Sequence, residues 1–114
     1  KDCNIITLHI GNGASHAAIR GGVCVDTSMG LTPLEGAVMG TRSGDIDPAI
    51  PTFIMEREGY SAKEMDSILN KKSGLLGITG KYTDRRDIGD GIKAGDKRCQ
   101  LAHDIYRLLH GGAG

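Results

Sequence analysis

The sequence has no tryptophan, one phenylalanine and three tyrosines. So few flat side chains exclude a platform on which successive nucleic-acid bases stack. It has no excess of either charge, with 14 Lys and Arg against 14 Asp and Glu. That balance argues against a nucleic-acid backbone or an anionic membrane as partner, since both call for a basic surplus. No apolar run approaches the ~18 residues that span a bilayer. No secretory leader is visible. The first residue is Lys1 and not Met, which reads as a segment cut from a longer chain. There are only three cysteines, Cys3, Cys24 and Cys99, and no C-x-x-C pair. They read as reduced thiols of a cytoplasmic protein, packed as small buried hydrophobes. The histidines His9, His16, His103 and His110 lack metal-site spacing, so no metal site is expected on this chain.

What is present is globular in type. Apolar residues make up 39% and charged residues 25% of 114 residues, enough for one small domain. Eighteen glycines cluster in short loops between apolar runs. Cys3 to Ile10 alternates as a strand, with Ile6, Leu8 and Ile10 on one face and Ile5, Thr7 and His9 on the other. Gly11-Asn12-Gly13 is a tight turn into a second strand, Ala14 to Arg20. Gly21-Gly22 turns into a third, Val23 to Thr27. The remainder reads as helices and loops. Asp47 caps a helix that has Pro48 in its first turn and ends at Gly59. Ser61 and Glu64 form a capping box for a helix with Met65, Ile68 and Leu69 on one face. Lys71 to Gly80 reads as a short strand or loop. Thr83 caps a helix starting at Asp84, and Asp96 caps one with Leu101, Ile105 and Leu108 on its inner face. The glycine-rich tail after His110 should fray. The fold class is α/β, an antiparallel strand meander followed by helices.

Three loops hold residue types that could do chemistry. In His9-Ile10-Gly11-Asn12-Gly13 a strand ends in glycines that let backbone N–H groups approach an anion. The loop lacks the Lys-Ser/Thr of a P-loop, and a plain hairpin turn satisfies the same pattern. In Gly40-Thr41-Arg42-Ser43-Gly44-Asp45 an arginine stands between glycines. Its planar, permanent charge suits the oxygens of a transferring phosphoryl group. A surface ion pair with Asp45 or Asp47 is the alternative. In Thr83-Asp84-Arg85-Arg86-Asp87 two arginines are bracketed by aspartates. They fit either a solvated helix cap or a turn that contacts ribose, base or phosphate.

The wording of these loops adds what their patterns do not. His9 to Ser15, Asp26-Thr27-Ser28-Met29-Gly30-Leu31-Thr32-Pro33-Leu34-Glu35-Gly36, Met39 to Pro48 and Lys72-Ser73-Gly74-Leu75-Leu76-Gly77, in that order, closely resemble the acetate kinase family. The resemblance covers residues 4 to 106 and ends after Tyr106. It implies a ribonuclease H-like, actin-like ATPase fold, with residues 1–114 a single fragment of the nucleotide-binding C-terminal domain of a two-domain kinase. It further implies transfer of the ATP γ-phosphoryl group to acetate, giving acetyl phosphate and ADP, with Mg²⁺, in a cytoplasmic homodimer. Residue by residue, it places His9, Ile10, Gly11, Asn12 and Gly13 at the nucleotide phosphates. Arg42 falls at the transition state, and Asp84, Arg85 and Arg86 at the adenosine. His16 and Arg85 stand where many members carry apolar residues. The family's catalytic histidine, carboxylate-holding arginine and metal-handling residues fall outside this chain, which is therefore expected to be inactive alone. A propionate or butyrate kinase, or a non-catalytic nucleotide-binding or structural module, remains an alternative.

Overall fold

The computed structural model describes residues 3–111. The expected meander is present. Strands β1 (Asn4–Ile10), β2 (Ala14–Arg20) and β3 (Val23–Thr27) pair antiparallel in that order. Ile10 lies opposite Ala14 across the glycine turn, and Asn4 opposite Arg20. The β2–β3 register shifts at Ala18/Ile19, a bulge-type irregularity. Neither face of β1 is covered. Ile6 and Leu8 are 75% and 58% exposed, and Ile5 on the opposite face is 49% exposed. Alternation set two faces for this strand, and among the described residues nothing packs over either.

Five helices follow: α1 (Ala49–Glu58), α2 (Ala62–Lys71), α3 (Gly74–Thr79), α4 (Arg85–Lys93) and α5 (Lys97–Leu109). The capping box of α2 forms in full. The Ser61 hydroxyl accepts from the Glu64 amide at 3.1 Å, and the Glu64 carboxylate accepts from the Ser61 amide at 3.3 Å. Asp96 caps α5 as read, accepting from the Arg98 and Cys99 amides. Two helices start later than the sequence indicates. Asp84, not Thr83, caps α4, because its carboxylate reaches the Arg86 amide at 2.8 Å. Pro48 occupies the N-cap of α1 while Asp47 accepts from the Ala49 amide.

The segment read as a strand or loop is the helix α3. The inner face of α5 also differs from expectation. Cys99, Ala102 and Tyr106 are buried, Ile105 is partly buried, and Leu101 and Leu108 are exposed. With Val38, Leu75 and Ile88 these residues form the core, enclosed by α3, α4, α5 and the loop before α1. Cys99 lies against Gly91, where a Cβ would meet its sulfur. Cys3 and Cys24 are exposed, so only one of the three thiols is the buried hydrophobe expected of all; none is in a disulfide. The radius of gyration is 16.0 Å, against about 13 Å for a compact chain of this length. The excess fits a meander that extends away from the helical core.

Among the described residues no helix is long and apolar enough to cross a membrane. The glycine-rich tail beyond residue 111 lies outside the described residues.

Candidate functional site

The core brings two of the three loops together through backbone bonds. Gly40 donates its amide to the Asn12 carbonyl at 3.0 Å, tying the Arg42 loop to the β1–β2 turn. A side chain at Gly40 would collide with Asn12, so the close approach requires glycine there. The turn closes on itself through the Gly11 amide and the Gly13 carbonyl, 2.9 Å apart. On its other side the Arg42 loop is held by helices. The Ser43 amide donates to Leu69, and the Thr41 hydroxyl to Asn70 at 2.8 Å. The Ser73, Leu75 and Leu76 amides donate to the carbonyls of Thr41, Met39 and Gly40, each at 2.9 Å. Three of these donors lie at the start of α3, where amides have no partner within the helix. Gly74 makes the junction at φ 62°, and a Cβ there would strike the Met39 carbonyl.

This framework sets the position of Arg42. It is half-buried, and it makes no ion pair with Asp45 or Asp47. Asp45 instead accepts from the Gly36 amide at 3.0 Å, bracing the loop from within. The Arg42 Nη1 lies 4.0 Å from the Met39 sulfur, a weak contact that leaves most of its donors directed elsewhere.

The third loop is organised differently. Arg86 turns back on Asp84 with three side-chain contacts between 2.7 and 3.2 Å. The Arg86 guanidinium, and then its backbone amide, pull the Asp84 carboxyl down to about 2. Asp84 in turn raises the Arg86 value. Arg85 points away from this pair, its guanidinium 4.7 Å from the centre of the Tyr106 ring, within cation–π range. Thr79 anchors the approach to this loop, its hydroxyl donating to Leu75 and accepting from the Tyr82 amide at 2.9 Å each.

Two clefts meet at Asn12. The first, about 540 Å³, runs between Ile10, Gly11, Asn12 and Gly40 on one wall and Thr83, Asp84, Arg85 and Arg86 on the other, with Leu75 and Tyr106 also lining it. The second, about 520 Å³, lies between Asn12, Gly13, Thr41 and Arg42 on one wall and Asp66, Asn70 and Lys71 at the end of α2 on the other. Of the residues singled out in the sequence, Ile10, Gly11, Asn12, Asp84, Arg85 and Arg86 line the first, and Gly13 and Arg42 the second. His9 faces Ser15 on β1 and lines neither. Sequence reasoning missed Lys71, Asn70 and Tyr106. The first two stand just before the Lys72-Ser73-Gly74 motif, a signal that could have marked them. Tyr106 had none, because its ring meets Arg85 only through the packing of α5 on α4.

Chemically, the first cleft offers an acidic cap, two guanidinium groups and a glycine turn. The second offers an unpaired arginine and a lysine facing a polar wall. Such an arrangement can hold a polyanion along the turn with its far end at Arg42. No group of three His, Cys, Asp or Glu residues able to hold a cation occurs among the described residues. The second cleft carries one carboxylate, Asp66.

The meander, its glycine turn and the helices against it define part of an actin-like ATPase domain, and solved structures bear this out. The chain superimposes on Porphyromonas gingivalis acetate kinase with a TM-score of 0.92 at 52% identity, over 95% of this chain and 27% of that one. It superimposes on a propionate kinase from Francisella tularensis with a TM-score of 0.90 at 47% identity, over 96% and 28%. The chain belongs to the acetokinase family, whose model matches residues 1–110. That match continues beyond Tyr106, where the motif resemblance ends. The acetate kinase of Trichlorobacter lovleyi is 74% identical over 110 residues, and that of Geobacter metallireducens 72%. Each alignment covers 95% of this chain and 26% of the relative, so the chain spans about a quarter of their length.

Proposed function

We propose that the chain is the phosphate- and adenosine-handling part of the C-terminal domain of an acetate kinase. The full-length enzyme transfers the γ-phosphoryl group of ATP to acetate. A carboxylate oxygen attacks the γ-phosphorus, the bond to the β,γ-bridging oxygen breaks, and ADP leaves with that oxygen. The carrying observation is Arg42, held in the wall of the second cleft by a hydrogen-bonded backbone, with no carboxylate among the described residues paired with it.

Phosphoryl transfer asks the protein mainly for positioning and charge stabilisation. Asn12 and the glycine turn hold the phosphates between the clefts. Asp84, Arg85 and Arg86 take the adenosine side. Arg42 meets the charge on the phosphoryl group in flight, a contribution worth ~10³ or more in rate for arginines in this role. His9, whose Nε2 stands 3.8 Å from where a Cβ at Gly11 would lie, belongs to the same phosphate side. Mg²⁺ accompanies ATP through residues outside this chain. The family resemblance supports a homodimeric, cytoplasmic enzyme that uses neither nucleic acid nor membrane.

The test is acyl phosphate formation by the full-length protein, trapped with hydroxylamine, with MgATP and acetate, propionate or butyrate. Turnover with acetate that is lost in Arg42→Ala is the expected result. No turnover with any carboxylate would leave a nucleotide-binding or structural module. The 47% identity to a propionate kinase favours propionate as the second substrate to try. The 114-residue chain alone should form no acyl phosphate.

A further inference from the structure

His16 and Arg85 are joined through the end of α5. His110 bonds in two directions: its Nε2 lies 2.7 Å from the Val38 carbonyl oxygen, and its Nδ1 lies 3.1 Å from His16 Nε2. Its ring stacks on Tyr106 at 4.0 Å between centroids, 23° from parallel. Tyr106 is buried, lines the first cleft and carries the Arg85 guanidinium at 4.7 Å. A continuous stack thus runs from β2 through α5 to the cleft wall on α4.

We propose that His110 is a positioning residue for the nucleotide cleft, holding the Tyr106 ring on which Arg85 rests, and that its bond to His16 makes this hold sensitive to protonation. The proposal rests on the reading of that cleft as the nucleotide site.

Proton placement follows from the partners. A carbonyl only accepts, so His110 Nε2 carries a proton. Neutral His110 then presents a bare Nδ1, and His16 donates to it from Nε2. One added proton fits on the His16 ring, which keeps its donor. A second would set two imidazolium rings against each other at 3.1 Å, and they would separate. The bond between the rings therefore survives one added proton and not two. Other groups near the stack act on it unequally. Arg85, beyond Tyr106, opposes further positive charge. Glu35 and Asp45 bring negative charge to the cavity that His16 shares with Leu109. Burial, and then His16 and Arg85, hold His110 below its ordinary value of 6.5, against the opposing pull of the Val38 carbonyl.

The experiment uses the full-length protein and two substitutions. His110→Leu removes both bonds. His110→Gln supplies an amide N–H for Val38 and an amide oxygen for His16, so it imitates neutral imidazole without titrating. Steady-state kinetics with ATP, between about pH 8 and about pH 5 across the imidazole range, should show nucleotide KM in the Leu variant raised several-fold, with kcat within twofold. The Gln variant should recover most of that loss at the alkaline end and lose the acid-side rise in KM seen in the wild type. Nitrogen NMR of the imidazoles should show His110 protonated on Nε2 and bare on Nδ1 at the alkaline end. Equal KM for wild type, Leu and Gln variants at every pH would overturn the proposal, as would a bare His110 Nε2. Failure of the wild type to bind ADP would overturn the nucleotide reading itself, and the proposal with it.

Discussion

Arg42 and Arg86 carry the same permanent charge, and the molecule treats them in opposite ways. Around Arg42 the backbone is fixed and the charge is left open. Its loop is bonded to the β1–β2 turn, to α2 and to α3, while no carboxylate among the described residues pairs with its guanidinium. Around Arg86 the charge is already matched. It is exposed on the first turn of α4 and paired with Asp84 at 2.7 Å. An exposed pair of that kind contributes little to stability, but it presets the orientation of both groups toward a ligand. Under the proposed function the difference is a division of labour. Charge that must meet a short-lived anion is kept unpaired on a rigid mount, and charge that recognises a standing ligand can be paired in advance.

The strongest way to break this comparison is to remove each arginine in the full-length protein. Arg42→Ala should lower kcat by ~10³ or more with nucleotide KM little changed. Arg86→Ala should do the reverse, raising nucleotide KM several-fold with a modest effect on kcat. Equal losses of both parameters in Arg42→Ala would end the assignment of Arg42 to the phosphoryl group in flight.

Next comes the mount. Gly74→Ala forces a left-handed backbone on alanine and drives its Cβ into the Met39 carbonyl. It should destabilise by about 1–3 kcal/mol and depress kcat together with Tm. Gly89, inside α4, has open space where a Cβ would stand. Gly89→Ala should therefore stabilise by about 0.5–1 kcal/mol and leave kcat alone. Thermal melts of the pair decide whether the Arg42 side of the site is the rigid one.

The smallest effect concerns the matched pair. The Asp84 carboxyl lies at about 2, below its ordinary value of 3.8. A lowered carboxyl favours the folded state when ionised, so its contribution is complete above 3.8 and disappears as pH falls toward 2. Carbon NMR of the side-chain carboxyl should give a midpoint near 2. A midpoint at the ordinary value would mean that Arg86 is not engaged in solution, and the contrast with Arg42 would vanish.

Much of the architecture was legible because its causes are local. A capping box needs only Ser61 and Glu64, three positions apart, and it forms as read. The meander follows from apolar alternation broken at two glycine turns. The α3 helix was not legible, since its six residues are too few to show a period. Its Ser73 N-cap makes no side-chain capping bond, its hydroxyl donating to the Ile68 carbonyl instead, and its early amides are satisfied by carbonyls of the Arg42 loop, far away in sequence. The inner face of α5 failed for a related reason. Leu101, Ile105 and Leu108 are spaced as a helical stripe, but so are Cys99, Ala102 and Tyr106, and it is the second stripe that is buried in the core, with Ile105 alone of the first packed against it.

The sequence by itself determined the chemistry of this protein: glycines flanking Asn12, an arginine between glycines, an acidic cap beside two arginines, and the family those words belong to. Tertiary structure alone decided which of these groups share a cleft, that Arg42 stays unpaired while Arg86 does not, and that His16 and His110 meet behind Tyr106. The reason is physical. Turns and caps are set by bonds within a few residues, whereas a guanidinium or an imidazole takes its partner from whatever the packed core brings to it.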